Sequence, residues 1–201
     1  MIPALFSGEE VDQATERVEA FIQGDAQALQ GRHINRVEGE INSIHRLQDN
    51  QWINEVLNSK EMLAFAGQFL DDEPEPRVCE LFAKPARVGL PSPAHQDNYL
   101  FCINGGNAIT VWVALDPAGD DNGALYYYDR SHTSGVLPHV KSFAPGTSQR
   151  IADEVDLSAF EQVRPKLERG DALVHHSEII HGSDANTSPL SRRGWTLQYK
   201  G

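Results

Sequence analysis

The sequence predicts one mainly β domain that carries helices at its N-terminal end. The first 75 residues hold apolar side chains at helical spacing, whereas residues 76–201 hold short runs of β-branched and aromatic residues separated by Gly, Pro, Asp and Asn. No linker divides the 201 residues, so we expect a single domain over 1–201, with a helical lead-in at 1–75 and a β core at 76–201. Many short antiparallel strands of this kind are typical of a barrel or sandwich, including the jelly roll.

Two helical regions are predicted in the lead-in. In the segment 8–24, the apolar positions that recur at helical spacing are Val11, Ala14, Val18, Phe21 and Ile22. Ser7, just before Glu9 and Glu10, is a helix start signal, and Gly24 is a stop signal. A second helical region covers QWINEVLNS and KEMLAFAGQFL and ends at the prolines of DDEPEPR.

Six runs in the second half are predicted to be strands. They are RVCELFA, YLFCI, NAITVWVALD, GALYYYD, DALVHH and RGWTLQY. Between them, the segment 135–165 predicts a loop, a short helical turn near LSAFEQV and a strand that leads into Gly170. Cys79 and Cys102 each lie in one of these runs, and without metal-ligand spacing we expect both to be small buried residues in a reducing cytoplasm.

The composition argues against two classes of partner. The formal net charge is −12, from 29 acidic and 17 basic residues, and such a field repels nucleic acid. No apolar run approaches the length of a membrane-spanning helix, and the segment MIPALFSGEEVDQ does not resemble a secretory signal. We therefore expect a cytoplasmic protein with a small-molecule partner, which the acidic surface suggests is neutral or cationic. The oligomeric state cannot be read from the sequence.

Three residues have the chemistry of a metal site. His95 and Asp97 lie two residues apart in AHQDNY, so an extended segment presents both on one face. His181 follows an apolar strand and opens a Gly/Ser/Asn turn, which allows it to supply a second imidazole. Two histidines and a carboxylate with open positions are the facial triad of non-haem Fe(II) oxygenases. His95 and Asp97 alone would favour a polar strand end with a hydrogen-bonded histidine over a metal site.

Arg192 adds a cation to this set. It lies across one turn from His181, on the predicted last strand, where a guanidinium can bind the distal carboxylate of 2-oxoglutarate. Strand alternation predicts that one set of residues faces a polar interior, namely Arg192, Gly194, Thr196 and Gln198. The other set packs against the N-terminal helices, and it consists of Arg193, Trp195, Leu197 and Tyr199, with Arg193 as a surface charge.

These motifs together resemble the phytanoyl-CoA dioxygenase family. The resemblance is carried by HQD, by WVALD with DNGALYYYDRSH, and by GDALVHHSEIIHGSDANTSPLSRR, and it covers about residues 78–199. It implies a double-stranded β-helix, which is the cupin-like jelly-roll barrel. One departure is local, since the family usually has Pro-Gly-Ser-His where this chain has DRSH at 129–132.

The resemblance implies the role of each site residue. His95, Asp97 and His181 match the Fe(II) ligands, and Arg192 matches the residue that pairs with the carboxylate of the co-substrate 2-oxoglutarate. Ser183 matches a hydroxyl that helps to bind that carboxylate. Trp112 lies near the aromatic residue that lines the co-substrate pocket, and Lys84 lies in FAKP, which looks like the strand before His-x-Asp.

The implied reaction uses O2 to decarboxylate 2-oxoglutarate to succinate and CO2 while a small-molecule substrate is hydroxylated. Related halogenases replace the metal-binding carboxylate with a small residue, so the presence of Asp97 favours hydroxylation. The alternatives are a jelly-roll binding protein with an inert metal site and a cupin-type Zn isomerase or hydrolase. Arg192 argues against both, because neither needs a buried cation opposite an open metal face.

Four other histidines and a tyrosine run are given structural roles. Strand alternation places one of His175 and His176 in the site wall and the other at the surface. His132 and His139 are assigned to a loop region, as polar structure or substrate contacts. The tyrosines at 126–128 are expected to pack.

Overall fold

The computed structural model describes residues 1–23, 34–144 and 147–201, without the side chains of 21–23. The four α-helices are α1 (Gly8–Gln23), α2 (Gln51–Leu57), α3 (Lys60–Ala66) and α4 (Asn98–Phe101). The strands are β1 (Ile34–Val37), β2 (Glu40–Ile44), β3 (Glu75–Lys84), β4 (Ser92–His95), β5 (Ala108–Ala114), β6 (Leu125–Tyr128), β7 (His139–Lys141), β8 (Gln149–Ile151), β9 (Gln162–Val163), β10 (Ala172–His176), β11 (His181–Ser183) and β12 (Arg192–Lys200). Within the described ranges, no helix is long and apolar enough to cross a membrane.

The strands form two larger antiparallel sheets and a small pair. The main sheet has the order β1-β2-β3-β12-β5-β10, the second sheet has the order β4-β11-β6-β9, and β7 pairs with β8. From β3 to β12 the chain passes repeatedly between the two larger sheets, so strands that are neighbours in sequence lie in different sheets, apart from the pair β7 and β8. The fold is therefore mainly β, with few helices, as the sequence predicts.

Helix α1 begins at the predicted signal. The amide of Glu10 donates to Ser7 Oγ at 3.3 Å, and the amide of Ser7 donates to Glu10 Oε2 at 2.7 Å, which is a reciprocal capping box. Val11, Ala14 and Val18 are buried, as their spacing predicts. The proposed stop at Gly24 and the side chains of Phe21 and Ile22 lie outside the described residues.

Helices α1, α2 and α3 cover one face of the main sheet. Trp195 of β12 stacks on Trp52 of α2, with ring centroids 5.9 Å apart, and Tyr199 donates its hydroxyl to the Leu57 carbonyl at 3.0 Å. Trp195, Leu197 and Tyr199 are at most 1% exposed. The predicted alternation of β12 is confirmed, because Arg192, Thr196 and Gln198 line a cavity on the opposite face.

The expectation that residues 1–75 are a helical lead-in is wrong in part. β1 and β2 form a hairpin there, and β2 extends the main sheet by pairing with β3. The two strands lack the apolar run that the prediction relied on. Their signal is the turn at Glu38 and Gly39, which both have positive φ (49° and 87°), the conformation that two-residue hairpins need.

The predicted strand at YLFCI is also wrong. Residues 98–101 form α4, and Cys102 ends that helix with φ of 54°. Asn98 closes this turn, because its side chain donates to the Ile103 carbonyl at 2.9 Å and accepts from the Ile103 amide at 3.0 Å. Cys102 is therefore exposed rather than buried, whereas Cys79 is buried as expected, and both cysteines are free.

The segment 135–165 contains more strand than the sequence predicts. It holds β7, β8 and β9, and the turn expected near LSAFEQV is a 3-10 helix at Leu157–Ala159. His139 lies in β7 rather than in a loop.

Candidate active site

The second sheet brings His95 and His181 together, and the start of α4 places Asp97 beside them. His95 ends β4 and His181 begins β11, and the two are directly paired across these strands. Asp97 follows His95 at the start of α4. The Nε2 atoms of His95 and His181 lie 3.8 and 3.7 Å from Asp97 Oδ1, and one ligand atom from each residue lies within 4.8 Å of the others.

Backbone carbonyls orient both imidazoles. His95 Nδ1 lies 2.8 Å from the Pro93 carbonyl and His181 Nδ1 lies 3.1 Å from the Ile179 carbonyl. A carbonyl accepts only, so each Nδ1 carries the proton and each Nε2 presents a lone pair towards Asp97. This arrangement is typical of histidines that bind a metal through Nε2.

Two side chains hold the other oxygen of Asp97. Thr110 Oγ1 donates to Asp97 Oδ2 at 2.9 Å, and His175 Nε2 lies 3.3 Å from the same oxygen. The hydroxyl of Tyr127 lies 3.0 Å from His175 Nδ1 and continues this chain of contacts. With Oδ2 engaged, Oδ1 is the oxygen that faces the two imidazoles.

The protonation states of His95, His181 and Asp97 favour the binding of a metal cation. Burial lowers the pKa of His95 to about 4, with a further contribution from His181, and burial likewise lowers the pKa of His181 to about 4. Burial opposes ionisation of Asp97, but the surrounding imidazoles of His181 and His175 outweigh it and lower its pKa. Two neutral imidazoles and a carboxylate therefore converge at neutral pH, which is an electron-rich donor set that fits a divalent transition metal.

Gln96 lies between His95 and Asp97, and its hydrogen bonds hold this segment in place. Gln96 is 1% exposed, and its side-chain amide donates to the carbonyls of Gly135 (2.8 Å) and Glu178 (2.6 Å) and accepts from the Leu137 amide (2.8 Å). His139 Nε2 accepts from the Gln96 amide at 3.1 Å. His139 thus has the structural contact expected of it, and Gln96 is a positioning residue that the sequence analysis missed.

A cavity of about 620 Å³ opens onto the three donors. Its wall includes three further predicted residues, Arg192, Ser183 and Trp112, and also His175. His175 is the wall histidine of the pair 175–176, while His176 is only partly buried. Lys84 does not line the cavity, because its ammonium group donates to the Leu90 carbonyl.

Arg192 is buried, and its charge has no counterion within the described ranges. It is 2% exposed, its Nη2 donates to the Gly123 carbonyl at 3.0 Å, and its guanidinium carbon lies 5.3 Å from the Trp112 ring centroid. No residue in the described part of the chain forms an ion pair with it, and its Nε is buried without a hydrogen-bond partner there. Burial lowers the pKa of Arg192 to about 10, so it remains charged at neutral pH.

Lys84 lies beside Arg192, since the two are paired across β3 and β12. Burial and the neighbouring Arg192 charge lower the pKa of Lys84 to about 7. Arg192 in the cavity wall, with Lys84 behind it and no acidic residue in contact with either among the described residues, makes that end of the cavity suitable for an anion.

Arg193 is not the free surface charge expected from alternation. Its guanidinium donates to both oxygens of Asp116 at 2.8 Å and to Glu19 of α1 at 2.9 Å. These hydrogen bonds raise its pKa. Arg193 therefore joins α1 to the main sheet, on the face opposite the cavity.

Comparison with known proteins identifies relatives of this chain. The phytanoyl-CoA dioxygenase family model matches residues 1–194. The phytanoyl-CoA dioxygenase domain-containing protein 1 of Danio rerio is 31% identical over 120 residues, which cover 58% of this chain and 41% of the relative. A probable alpha-ketoglutarate-dependent hypophosphite dioxygenase of Stutzerimonas stutzeri is 25% identical over 211 residues, which cover 98% and 73%. The match to the Danio relative thus spans about two fifths of that protein's length.

Solved structures share the fold. EctD from S. alaskensis, in a crystal structure with 2-oxoglutarate and 5-hydroxyectoine, superimposes with a TM-score of 0.78 at 22% identity, covering 98% of this chain and 69% of that chain. The epimerase SnoN, in complex with Fe3+, alpha ketoglutarate and nogalamycin RO, gives a TM-score of 0.77 at 17% identity, covering 99% and 77%. Because the family model matches residues 1–194 of the 201 residues, this chain belongs to the phytanoyl-CoA dioxygenase family.

Proposed function

We propose that this protein is an Fe(II)- and 2-oxoglutarate-dependent dioxygenase that hydroxylates a small molecule and releases succinate and CO2. The observation that carries the proposal is one cavity holding both a converging His–Asp–His donor set and a buried arginine that has no counterion among the described residues. The repeated passage of the chain between two sheets supports a double-stranded β-helix, with the main and second sheets as the walls of its barrel.

Three residues of the site would bind the metal, and two others orient one of them. His95, Asp97 and His181 would hold Fe(II), which supplies the activation of dioxygen when bound. Thr110 and His175 keep Asp97 Oδ2 engaged and so direct Oδ1 to the metal. An acceptor that is already hydrogen-bonded on one oxygen has less freedom to rotate away, which preserves the donor geometry before metal binds.

The cationic end of the cavity would bind the co-substrate. The Nε of Arg192 has no hydrogen-bond partner in the described part of the chain, so a carboxylate can use it, and a guanidinium fits a carboxylate in bidentate fashion. Ser183 is buried in the same wall and offers a hydroxyl to that carboxylate. Trp112 packs over the site, and Lys84 adds positive charge behind Arg192 without reaching the cavity.

A reducing cytoplasm is the compartment we propose, because Cys79 and Cys102 are both free.

Relatives support this class and leave its reaction open. One relative is named as a probable alpha-ketoglutarate-dependent dioxygenase and one neighbour as an epimerase, so the fold serves more than one outcome. Hydroxylation is favoured here by the carboxylate at Asp97, since halogenation uses a site without it.

The test is turnover of 2-oxoglutarate. Wild-type protein with Fe(II), 2-oxoglutarate and O2 should form succinate, and formation should increase with a true substrate in a screened panel. Asp97→Ala and His181→Ala should form none, while His176→Ala, a matched histidine outside the donor set, should retain the wild-type rate. Protein loaded with Zn(II) should be inactive. Absence of succinate with folded, Fe(II)-loaded wild type across the whole panel would favour the inert binding protein, and activity with Zn(II) would favour the isomerase or hydrolase.

A further inference from the structure

A β-bulge places Arg77 in the wall of the cavity. On β3, Val78 pairs with Gln198 of β12 and Pro76 pairs with Tyr199, so Arg77 is an extra residue with no partner on β12. A bulge interrupts the alternation of a strand and can re-aim a side chain towards a site. Arg77 and Val78 accordingly both line the cavity, although they are consecutive.

The guanidinium of Arg77 stacks on an aromatic ring and has no counterion among the described residues. Its carbon lies 4.0 Å from the centroid of the Phe101 ring, a stacking contact that covers one face of the group and leaves its N–H edges for other partners. Arg77 forms no ion pair with any residue that the structure describes, and Nη1 is buried there without a hydrogen-bond acceptor. Burial lowers the pKa of Arg77, and the carboxylates of Asp97 and Glu80 partly offset that effect.

Neither nearby carboxylate forms an ion pair with Arg77, and both have other contacts. Glu80 Oε1 contacts His45 Nδ1 and Glu80 Oε2 accepts from Gln198 Nε2 at 3.0 Å. Asp97 belongs to the proposed metal site. Moreover, Gln198 Oε1 is a second buried atom in this wall that lacks a partner among the described residues. The wall around Arg77 is thus polar, with unmet hydrogen-bonding capacity, and it faces the space in front of the donor set.

We propose that Arg77 binds an oxyanion of the substrate, a carboxylate or a phosphonate, so that the substrate is a small organic acid. This inference rests on the proposed function, because it uses the His–Asp–His donors as the reacting centre. The cavity then has two cationic positions with separate roles, Arg192 for the co-substrate and Arg77 for the substrate. The acidic surface suggested a neutral or cationic substrate, but Arg77 is a half-buried arginine in the cavity wall with no ion pair to any described residue. A direct ion pair stabilises such a cation far more than distant surface charge does, so an anionic substrate is favoured.

The experiment uses matched probes on the full chain. Short-chain carboxylates, the corresponding phosphonates and the corresponding primary amides are titrated into protein loaded with Zn(II) and 2-oxoglutarate, and also into metal-free protein, with the Kd of each read by calorimetry or ligand-observed NMR. At least one acid should bind about tenfold or more tightly than its amide, as expected for a charge-assisted pair. The comparison of carboxylates with phosphonates identifies the oxyanion.

Variants of Arg77 and of an exposed control arginine test whether Arg77 causes the preference for acid over amide. Arg77→Gln should remove the preference for acid over amide, Arg77→Lys should retain part of it, and Arg130→Gln, a variant of an arginine whose side chain is 84% exposed, should leave it unchanged. The Kd of 2-oxoglutarate, measured on the same samples, should be the same in Arg77→Gln as in wild type. Failure of wild type to bind 2-oxoglutarate would contradict the proposed function, whereas acid selectivity in metal-free protein tests Arg77 separately. The inference is overturned if no acid binds more tightly than its amide, if the preference survives Arg77→Gln, or if Arg77→Gln weakens 2-oxoglutarate binding.

Discussion

The two faces of the main sheet differ in how completely their polar groups are paired. On the face that meets the helices, Trp195 donates to Cys79 Sγ and Tyr199 donates to the Leu57 carbonyl, and both rings are buried. On the cavity face, Arg77, Arg192 and Gln198 each keep a buried polar atom without a partner in the described part of the chain. The helix face therefore stabilises the fold, whereas the cavity face retains hydrogen-bonding capacity for ligands, at a cost in stability.

The largest effect on stability is expected at the helix face. Trp195→Ala removes a ring that contacts Phe6 and Trp52, with centroids 5.7 and 5.9 Å away. We expect it to lower the free energy of unfolding by about 3–5 kcal/mol, measured by denaturant titration. The fraction that remains folded should bind 2-oxoglutarate with unchanged affinity. A strong loss of that affinity in the folded fraction would show that the two faces are not separable.

The largest effect on ligand binding is expected at the cavity face. Arg192→Gln should weaken 2-oxoglutarate binding by about 2–5 kcal/mol, because a desolvated ion pair is lost. The free energy of unfolding should change little, because the substitution also removes a buried charge without a counterion. Binding is measured by calorimetry on metal-loaded protein. Wild-type affinity in this variant would remove Arg192 from the co-substrate site.

A smaller effect is expected at the next residue along β12. Arg193→Gln breaks the hydrogen bonds to Asp116 and Glu19, and its side chain is 23% exposed. We expect a loss of about 1–2 kcal/mol in the free energy of unfolding, since solvent screens part of the interaction. The affinity for 2-oxoglutarate should stay the same. A change in that affinity, with stability unaffected, would mean that the two arginines have exchanged roles.

Periodicity predicted the elements that have a buried face. The alternation along β12 separated Arg192 from Trp195 correctly, and the helical spacing of Val11, Ala14 and Val18 marked the buried side of α1. It failed where local hydrogen bonds decide the backbone, as at Asn98, which converts an apolar run into a helical turn. It also failed for the β1–β2 hairpin, whose strands are largely polar.

The site was predictable only in part for a related reason. His95, Asp97 and His181 belong to motifs, and the structure brings them together, but the residues that orient them belong to none. Thr110 lies in an apolar run, and its role follows only from the pairing of β5 with β10, which sets it opposite His175. The position of Arg77 is even harder to predict from the sequence, because regular alternation would place Arg77 and Val78 on opposite faces of the sheet. Only the bulge opposite Gln198 and Tyr199 brings Arg77 into the cavity wall.

An Fe(II)- and 2-oxoglutarate-dependent oxygenase must bind its 2-oxo acid as a chelate on Fe(II), and this can be measured directly. Metal-free protein, kept anaerobic, is titrated with Fe(II) and then with 2-oxoglutarate, and the visible spectrum is recorded. A weak charge-transfer band should appear and saturate with wild type, vanish with Asp97→Ala, and need far more 2-oxoglutarate with Arg192→Gln. Zn(II) serves as the blank, because its filled d shell gives no such transition. Folded wild type that binds Fe(II) yet shows no band at saturating 2-oxoglutarate would contradict the account.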